Sequence, residues 1–329
     1  MRATELLRSA LDKGSRPIVI ALLLLLAALF LPTVKLARAT YTYLVFFDIT
    51  QSMNVVDYEL DGTPVSRLMY ARQAVKRALR DLPCGSRIGL GAFAEYRTLL
   101  LVAPIEVCGN YGDLLTAIDY IDGRMRWRDA SEVTKGVFWA IRGAKELGDG
   151  ANVMFMTDGQ EAPPLRPNAR PSFDDIKPGQ IHGWLIGVGG YTARPIPRTD
   201  REGNVLGYWR PEDVIQRNVD PGAGDKPSLE HLSSLREAHL QDVARRVGFE
   251  YARLAKASVV SDALRDVRFA QSRPVATDFS WVPALAALMV LVWRFLPDLR
   301  GLGLRRFKRG LQDINHGGTE TRREAETGL

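Results

Sequence analysis

The chain has 329 residues, 46% hydrophobic and 25% charged, with two Cys, four His and a formal net charge of +6. That length accommodates one domain of about 230 residues with flanking segments. The four scattered His (His182, His231, His239, His316) give no support to a zinc site. The positive charge is concentrated at the two ends, in Arg2, Arg8, Lys13 and Arg16 and again in Arg300, Arg305, Arg306, Lys308 and Arg309. The stretch between them is close to neutral, which argues against a polyanion-binding surface and so against nucleic acid.

In chain order, residues 1–16 form a short basic segment, followed by an apolar run over 17–34. Eighteen residues at helical rise reach about 27 Å, enough to cross a hydrocarbon core. The alternative is a cleaved signal peptide, with Ala37-Arg-Ala39 as a passable cleavage site. Lys35 and Arg38 disfavour cleavage, and a retained anchor is the preferred reading. A second apolar run covers 279–296, with Trp281 and Trp293 near its ends and Arg294 placed to snorkel. Basic residues outside both runs put the termini in the cytoplasm and export everything between. The tail over 297–329 is basic at first, then polar and expected to be disordered beyond Arg309.

The exported stretch alternates strands and helices. Tyr43-Leu-Val-Phe-Phe47 is an apolar strand that ends in Asp48-Ile-Thr50-Gln-Ser52. A helix follows over Pro64–Leu82, with Leu68, Ala71, Val75, Ala78, Leu79 and Leu82 on one face and Arg and Lys opposite. Strands are expected at Arg87–Phe93 and Thr98–Pro104, and a short helix at Tyr111–Ile121. Ser131 opens another helix that turns Val133, Val137, Ile141 and Ala144 inward. A second buried strand, Asn152-Val-Met-Phe-Met-Thr157, again ends in a carboxylate, Asp158, followed by Gly159. After a Pro-rich loop come a strand over Ile181–Val188 and a long excursion from Gly189 to about Leu232. Within it, Ile196–Trp209 has the pattern of a hairpin with a Gly-Asn tip. Tyr191, Tyr208 and Trp209 there serve either as partner anchors or as packing for the hairpin. Ser234-Leu-Arg-Glu237 fits a capping box for the last helix, and Phe249–Leu254 a final strand.

This alternation indicates an α/β fold with helices on both faces of a sheet. Asp48, Thr50 and Ser52 leave the carboxyl end of a strand on alternate residues, so their oxygens can converge on a hard cation such as magnesium or calcium. The same string also suits an Asx turn with capping hydroxyls. The second strand ending in Asp158 favours the cation, because ligand sites in open α/β sheets lie beyond the carboxyl ends of the strands.

Together these segments resemble the metal-ion-dependent adhesion site of the von Willebrand factor A domain family, whose pattern is D-x-S/T-x-S, a Thr opening a helix, and T-D-G after a strand. The resemblance covers roughly residues 41–255. It implies a doubly wound, mostly parallel sheet with one antiparallel edge strand, here flanked by two transmembrane helices. It also implies a metal set of Asp48, Thr50, Ser52, Ser131 and Asp158. Ser131 stands five residues before Gly136, where the family usually has Thr, and Thr134 is the alternative. The domain is expected over 40–267, with the inserted region around 190–232. If Arg87–Phe93 and Thr98–Pro104 form the family's antiparallel hairpin, Cys84 and Cys108 meet in a disulfide, as an oxidising compartment favours.

In that family the open metal position takes a carboxylate from a bound protein, which implies recognition rather than catalysis. No His or paired carboxylate stands out as a general base, and Glu161 is expected on a solvated loop. The strings Phe47–Asn54, Leu82–Leu90 and Thr157–Pro164 resemble the MxaL type of methanol-oxidation gene clusters, membrane A-domain proteins associated with MoxR-type AAA ATPases and implicated in calcium insertion into periplasmic methanol dehydrogenase. The expected role is a membrane-anchored periplasmic assembly or maturation factor with Mg2+ or Ca2+ as cofactor. Its expected partners are a periplasmic client, a MoxR-type ATPase or other A-domain membrane proteins. A structural or adhesive module without a maturation role is the alternative, and a metal-dependent hydrolase the least supported one.

Overall fold

The computed structural model describes residues 15–165, 171, 175–215 and 229–296. The readings made for the basic N-terminus before residue 15 and for the tail from 297 fall outside the described residues. The chain divides into a compact unit over 36–275 and a second one formed by 1–35 with 276–329.

The larger unit is built on a six-stranded sheet. Strands β2 (Thr42–Asp48), β5 (Arg87–Ala94), β6 (Arg97–Glu106), β7 (Asn152–Thr157), β8 (Gly183–Gly187) and β13 (Glu250–Arg253) lie in the order β13-β8-β7-β2-β5-β6. All neighbours are parallel except β5 and β6. The first of these strands in sequence lies in the middle, with the second on one side and the fourth on the other. The winding therefore reverses between β2 and β7, and that switch point is where an open α/β sheet leaves a crevice beyond its strand ends.

Strand β2 is buried along its whole length, so its alternating side chains feed two cores. Tyr43, Val45 and Phe47 pack with Leu68, Ala71, Val75 and Leu79 of helix α2 (Arg67–Asp81). Leu44 and Phe46 pack on the other face with Val137 and Ile141 of helix α4 (Val133–Leu147) and with Leu240 and Val243 of helix α5 (Glu237–Val247). Gly136 lets α4 approach closely, since a Cβ there would stand 2.2 Å from the Phe93 ring.

Several boundaries differ from the sequence reading for identifiable reasons. The first domain helix starts at Arg67 because the Ser66 side chain accepts from the Met69 amide and caps it, while Thr63–Ser66 pairs as strand β4 with β3 (Val56–Leu60). Helix α5 begins at Glu237 behind Arg236 rather than at a Ser234 capping box. The short helix α3 covers Tyr111–Tyr120, and the hairpin β10 (Pro197–Thr199) with β11 (Val205–Tyr208) falls where the Gly-Asn tip predicts it.

Cys84 and Cys108 are bonded, with Cα atoms 5.3 Å apart, where Arg87 of β5 faces Glu106 of β6. The sequence separation of 24 closes a loop whose constraint on the unfolded chain is worth about 3 kcal/mol. Replacing both by Ser is expected to lower the denaturant midpoint by that equivalent, and reduction of the wild-type protein to match it. An unchanged midpoint would show that the edge hairpin holds without the bridge.

The second unit contributes helices α1 (Arg16–Phe30) and α7 (Trp281–Phe295), 15 residues each, which pack against each other. Among its described residues Ala21 and Ala287 are buried, while Leu23, Leu29, Leu288 and Trp293 are exposed. Both helices are shorter than the apolar runs read from sequence, spanning about 22 Å. Among the described residues no helix is long and apolar enough to cross a membrane. Leu31–Thr33 leave the helical conformation, and Val34 begins β1 (Val34–Thr40), which pairs with β14 (Gln271–Thr277). The stretch considered as a cleavage site, Ala37-Arg-Ala39, lies inside this two-stranded ribbon.

Candidate metal centre at the switch point

Asp48 and Asp158 leave adjacent strands at the crevice, and their loops are shaped by hydrogen bonds local to each. The Thr50 amide and hydroxyl both donate to Asp48 Oδ1, at 2.9 and 2.7 Å. The Thr50 and Ser52 hydroxyls lie 3.3 Å apart, so the three oxygen donors of the first loop cluster. Thr157, one register step beyond Met156 opposite Phe47, donates its hydroxyl to Asp48 Oδ2 at 2.6 Å. Gly159 then turns at φ +78°, with its amide donating to Thr157 Oγ1.

Ser131 reaches the same place through backbone pairing. Its amide donates to the Ala162 carbonyl, and the Ala162 amide to its own carbonyl, both at 2.7 Å. Its hydroxyl is buried with no hydrogen-bond partner and lines the same cavity as Thr50 and Ser52. Thr134 is committed elsewhere: its amide and hydroxyl both donate to Glu161 Oε1. Glu161 is not on a solvated loop. It is buried, bridged to His239 Nε2 at 3.0 Å, and its Oε2 has no partner. The loop folds back because Ser131 and Ala162 pair, which carries Glu161 inward.

The largest departure from the sequence reading is Arg67. Assigned by helical periodicity to a solvated face, it is fully buried. Its Nη1 donates to Asp158 Oδ2 at 2.7 Å and to Ser233 Oγ at 2.6 Å, and its Nη2 donates to Asp57 Oδ2 at 2.7 Å. Burial opposes its charge, but Asp158 and Asp57 outweigh that and hold its pKa above the ordinary value. Position N1 of a helix is a poor place for a cation, so only these two acids explain it there. No short-range pattern announces the contact with Asp158, which is 91 residues away. Asp57 also accepts from the Gly190 amide, which ties the excursion to the same network.

Asp48 has no such partner. Among the described residues no basic side chain pairs with it, and burial, followed by the field of Asp158, pushes it up to about 7 despite lowering hydrogen bonds from Thr157 and Thr50. Among the described residues, three carboxylates with buried side chains (Asp48, Asp57, Asp158) thus cluster with one buried guanidinium, which pairs with Asp57 and Asp158 but not with Asp48. Ionised, they leave two negative charges, the charge of one divalent ion. Donors that are all oxygen, with an unpartnered buried hydroxyl among them, are suited to Mg2+ or Ca2+ and poorly suited to soft metals.

Gln51 closes one side. Its Nε2 donates to Asp129, and its Oε1 accepts from the Thr199 amide and the Trp209 indole, both at 3.0 Å. Trp209 therefore packs the hairpin onto the first loop, whereas Tyr191 and Tyr208 are exposed.

The chain is similar to a UPF0353 protein of Mycobacterium sp. (strain KMS), 25% identical over 256 residues that cover 71% of this chain and 69% of the relative. Among solved structures it is similar to an aerotolerance-related membrane protein from Bacteroides fragilis NCTC 9343, at 17% identity and a TM-score of 0.43, covering 69% of this chain and 98% of that one. It is also similar to a von Willebrand factor type A protein from Catenulispora acidiphila, at 12% identity and a TM-score of 0.37, covering 78% and 46%. No family model matches the chain. At these levels of likeness the chemistry of the site rests on its own residues.

Proposed function

We propose that this chain is a membrane-associated, cation-dependent protein-binding module of the von Willebrand factor A type, exported to an oxidising compartment and serving the assembly or maturation of a partner protein. The carrying observation is Asp48, a buried carboxylate beside Asp158 with no basic partner among the described residues, next to the hydroxyls of Thr50, Ser52 and Ser131. Asp48, Thr50, Ser52 and Ser131 would hold the ion, with Asp158 behind them, shared with Arg67. Bound there, the ion supplies a positive point that attracts a carboxylate in a partly desolvated setting. Thr134 is spent on Glu161, which supports Ser131 as the hydroxyl of the third loop. The Cys84–Cys108 bond supports export, and the exposed apolar faces of α1 and α7 support association with a membrane.

The narrower reading is delivery of calcium to a periplasmic quinoprotein such as methanol dehydrogenase, supported by the string resemblance described above. Purification of the wild type and of Asp48→Ala from membranes, each with and without chelator, tests the role. A periplasmic enzyme retained only by the wild type with cation present is the expected result. Identical retention in all four samples would refute cation-dependent docking.

A further inference from the structure

We propose that the docked ligand is a protein segment in which an acidic residue is followed or preceded by a bulky aliphatic or aromatic residue, the apolar side chain entering a cavity beside the metal loops. This rests on the cation-dependent dock proposed above and specifies what the dock selects.

The cavity measures about 250 Å3. Its floor includes Thr50, Ser52 and Ser131, and its walls include Ile196, Trp209, Val214 and Ile215. Such a volume is below the 300–1,000 Å3 typical of sites for cofactors and drug-sized ligands. It exceeds the ~150 Å3 that admits a benzene ring. One side chain with its adjoining carboxylate is the size of occupant that fits.

The wall is preformed. Trp209 is fixed by its indole bond to Gln51 and by Arg198 stacked over its ring at 5.0 Å. The polar part of the lining selects against a bare anion. Asp129, Glu161, Asp213 and Glu230 line the same space, Asp129 and Glu230 paired with Arg126 and Arg236 outside it, and no basic side chain is in the described lining, so an incoming carboxylate finds no positive partner there until a cation binds. Attraction is thereby confined to the floor, where the unpartnered Ser131 hydroxyl lies, and the walls leave an apolar group as the favourable neighbour. The hairpin and the segment after it supply this wall, which accounts for part of the long excursion between β8 and α5.

The test uses the full chain in detergent and short synthetic peptides with one central Asp or Glu in a Gly/Ser background. The neighbouring position carries Leu, Phe or Ser, and binding is measured in magnesium and in chelator. Burying one such side chain corresponds to about tenfold or more in affinity, so Leu or Phe peptides are expected to bind at least tenfold tighter than Ser peptides, in magnesium only. Ile215→Ser, at an exposed position that tolerates the change, is expected to reduce that preference severalfold. Trp209→Ser, which also releases the hairpin from Gln51, is expected to remove the preference more strongly and to weaken the Ser peptide as well. Magnesium-dependent binding that ignores the neighbour would overturn the cavity's role and leave the dock standing. The absence of magnesium-dependent binding to any acidic peptide would overturn both. Apolar preference that persists without the acid, or in chelator, would show that the cavity works apart from the metal loops and would refute the proposal.

Discussion

Replacing Asp48 by Asn is expected to raise the melting temperature of the chelator-treated protein at pH 8 and to abolish its stabilisation by magnesium or calcium. The two effects have one cause. Asp48 is buried, hydrogen-bonded among the described residues by hydroxyls and a backbone amide alone, and held in the field of Asp158. Its pKa is raised to about 7, so the folded protein holds a proton there over a pH range in which the unfolded chain has released it. Stability falls wherever the folded state binds more protons and pH increases. The metal-free wild type therefore loses stability from about pH 4 to about pH 7, by on the order of 2–4 kcal/mol from this group. Asn carries no charge and avoids that loss. The difference between variant and wild type should be small at pH 4, grow up to about pH 7 and level off above it. A divalent ion offsets that loss at pH 8 for the wild type alone, by about 2.7 kcal/mol at a concentration 100-fold over its Kd and about 4.1 kcal/mol at 1,000-fold, where the ranking reverses. Thermal melts across pH, with cation and with chelator, check all four corners. A variant less stable than the wild type in chelator at pH 8 would show that Asp48 is compensated by some other group.

Much of this site was legible in the sequence, for a local reason. An apolar run ending in Asp is a buried strand with a carboxylate at its carboxyl end, and two such runs place both acids at one sheet edge whatever the intervening chain does. The spacing of Asp48, Thr50 and Ser52 is likewise local, and it survives in the hydrogen bonds of that loop. What was not legible depends on contacts distant in sequence. Arg67 follows the periodicity of a solvated helix face, and only Asp57 and Asp158 reveal it as buried. Glu161 reads as a polar loop residue until the Ser131–Ala162 pairing turns it inward onto Thr134 and His239. Apolar runs show hydropathy without showing where a helix stops, so the stretch ending at Val34 concealed a helix end at Phe30 and the start of a ribbon. The reach of Trp209 to Gln51, 158 residues apart, left no pattern at all.

Arg67 carries the second large expectation. Arg67→Met keeps the length and apolar stem of the side chain and removes the only buried cation described in the network, leaving Asp57 and Asp158 facing each other without compensation. Breaking a buried pair from one side costs about 3–5 kcal/mol. For a domain of this size that corresponds to a fall of roughly 10 °C or more in the melting temperature in chelator. The variant should also bind a divalent ion more tightly than the wild type, because a positive charge beside Asp158 has gone and a third uncompensated acid remains. The stabilisation produced by magnesium is therefore expected to be larger in the variant than in the wild type. Arg67→Lys should fall between them: it keeps the charge, but a single ammonium cannot span both carboxylates as the guanidinium fork does. Equal magnesium stabilisation in wild type and Arg67→Met would show that Arg67 braces the fold without sharing its field with the ion site. A fall in both stability and magnesium response would show instead that the guanidinium positions Asp158, and that geometry outweighs charge at this edge of the sheet.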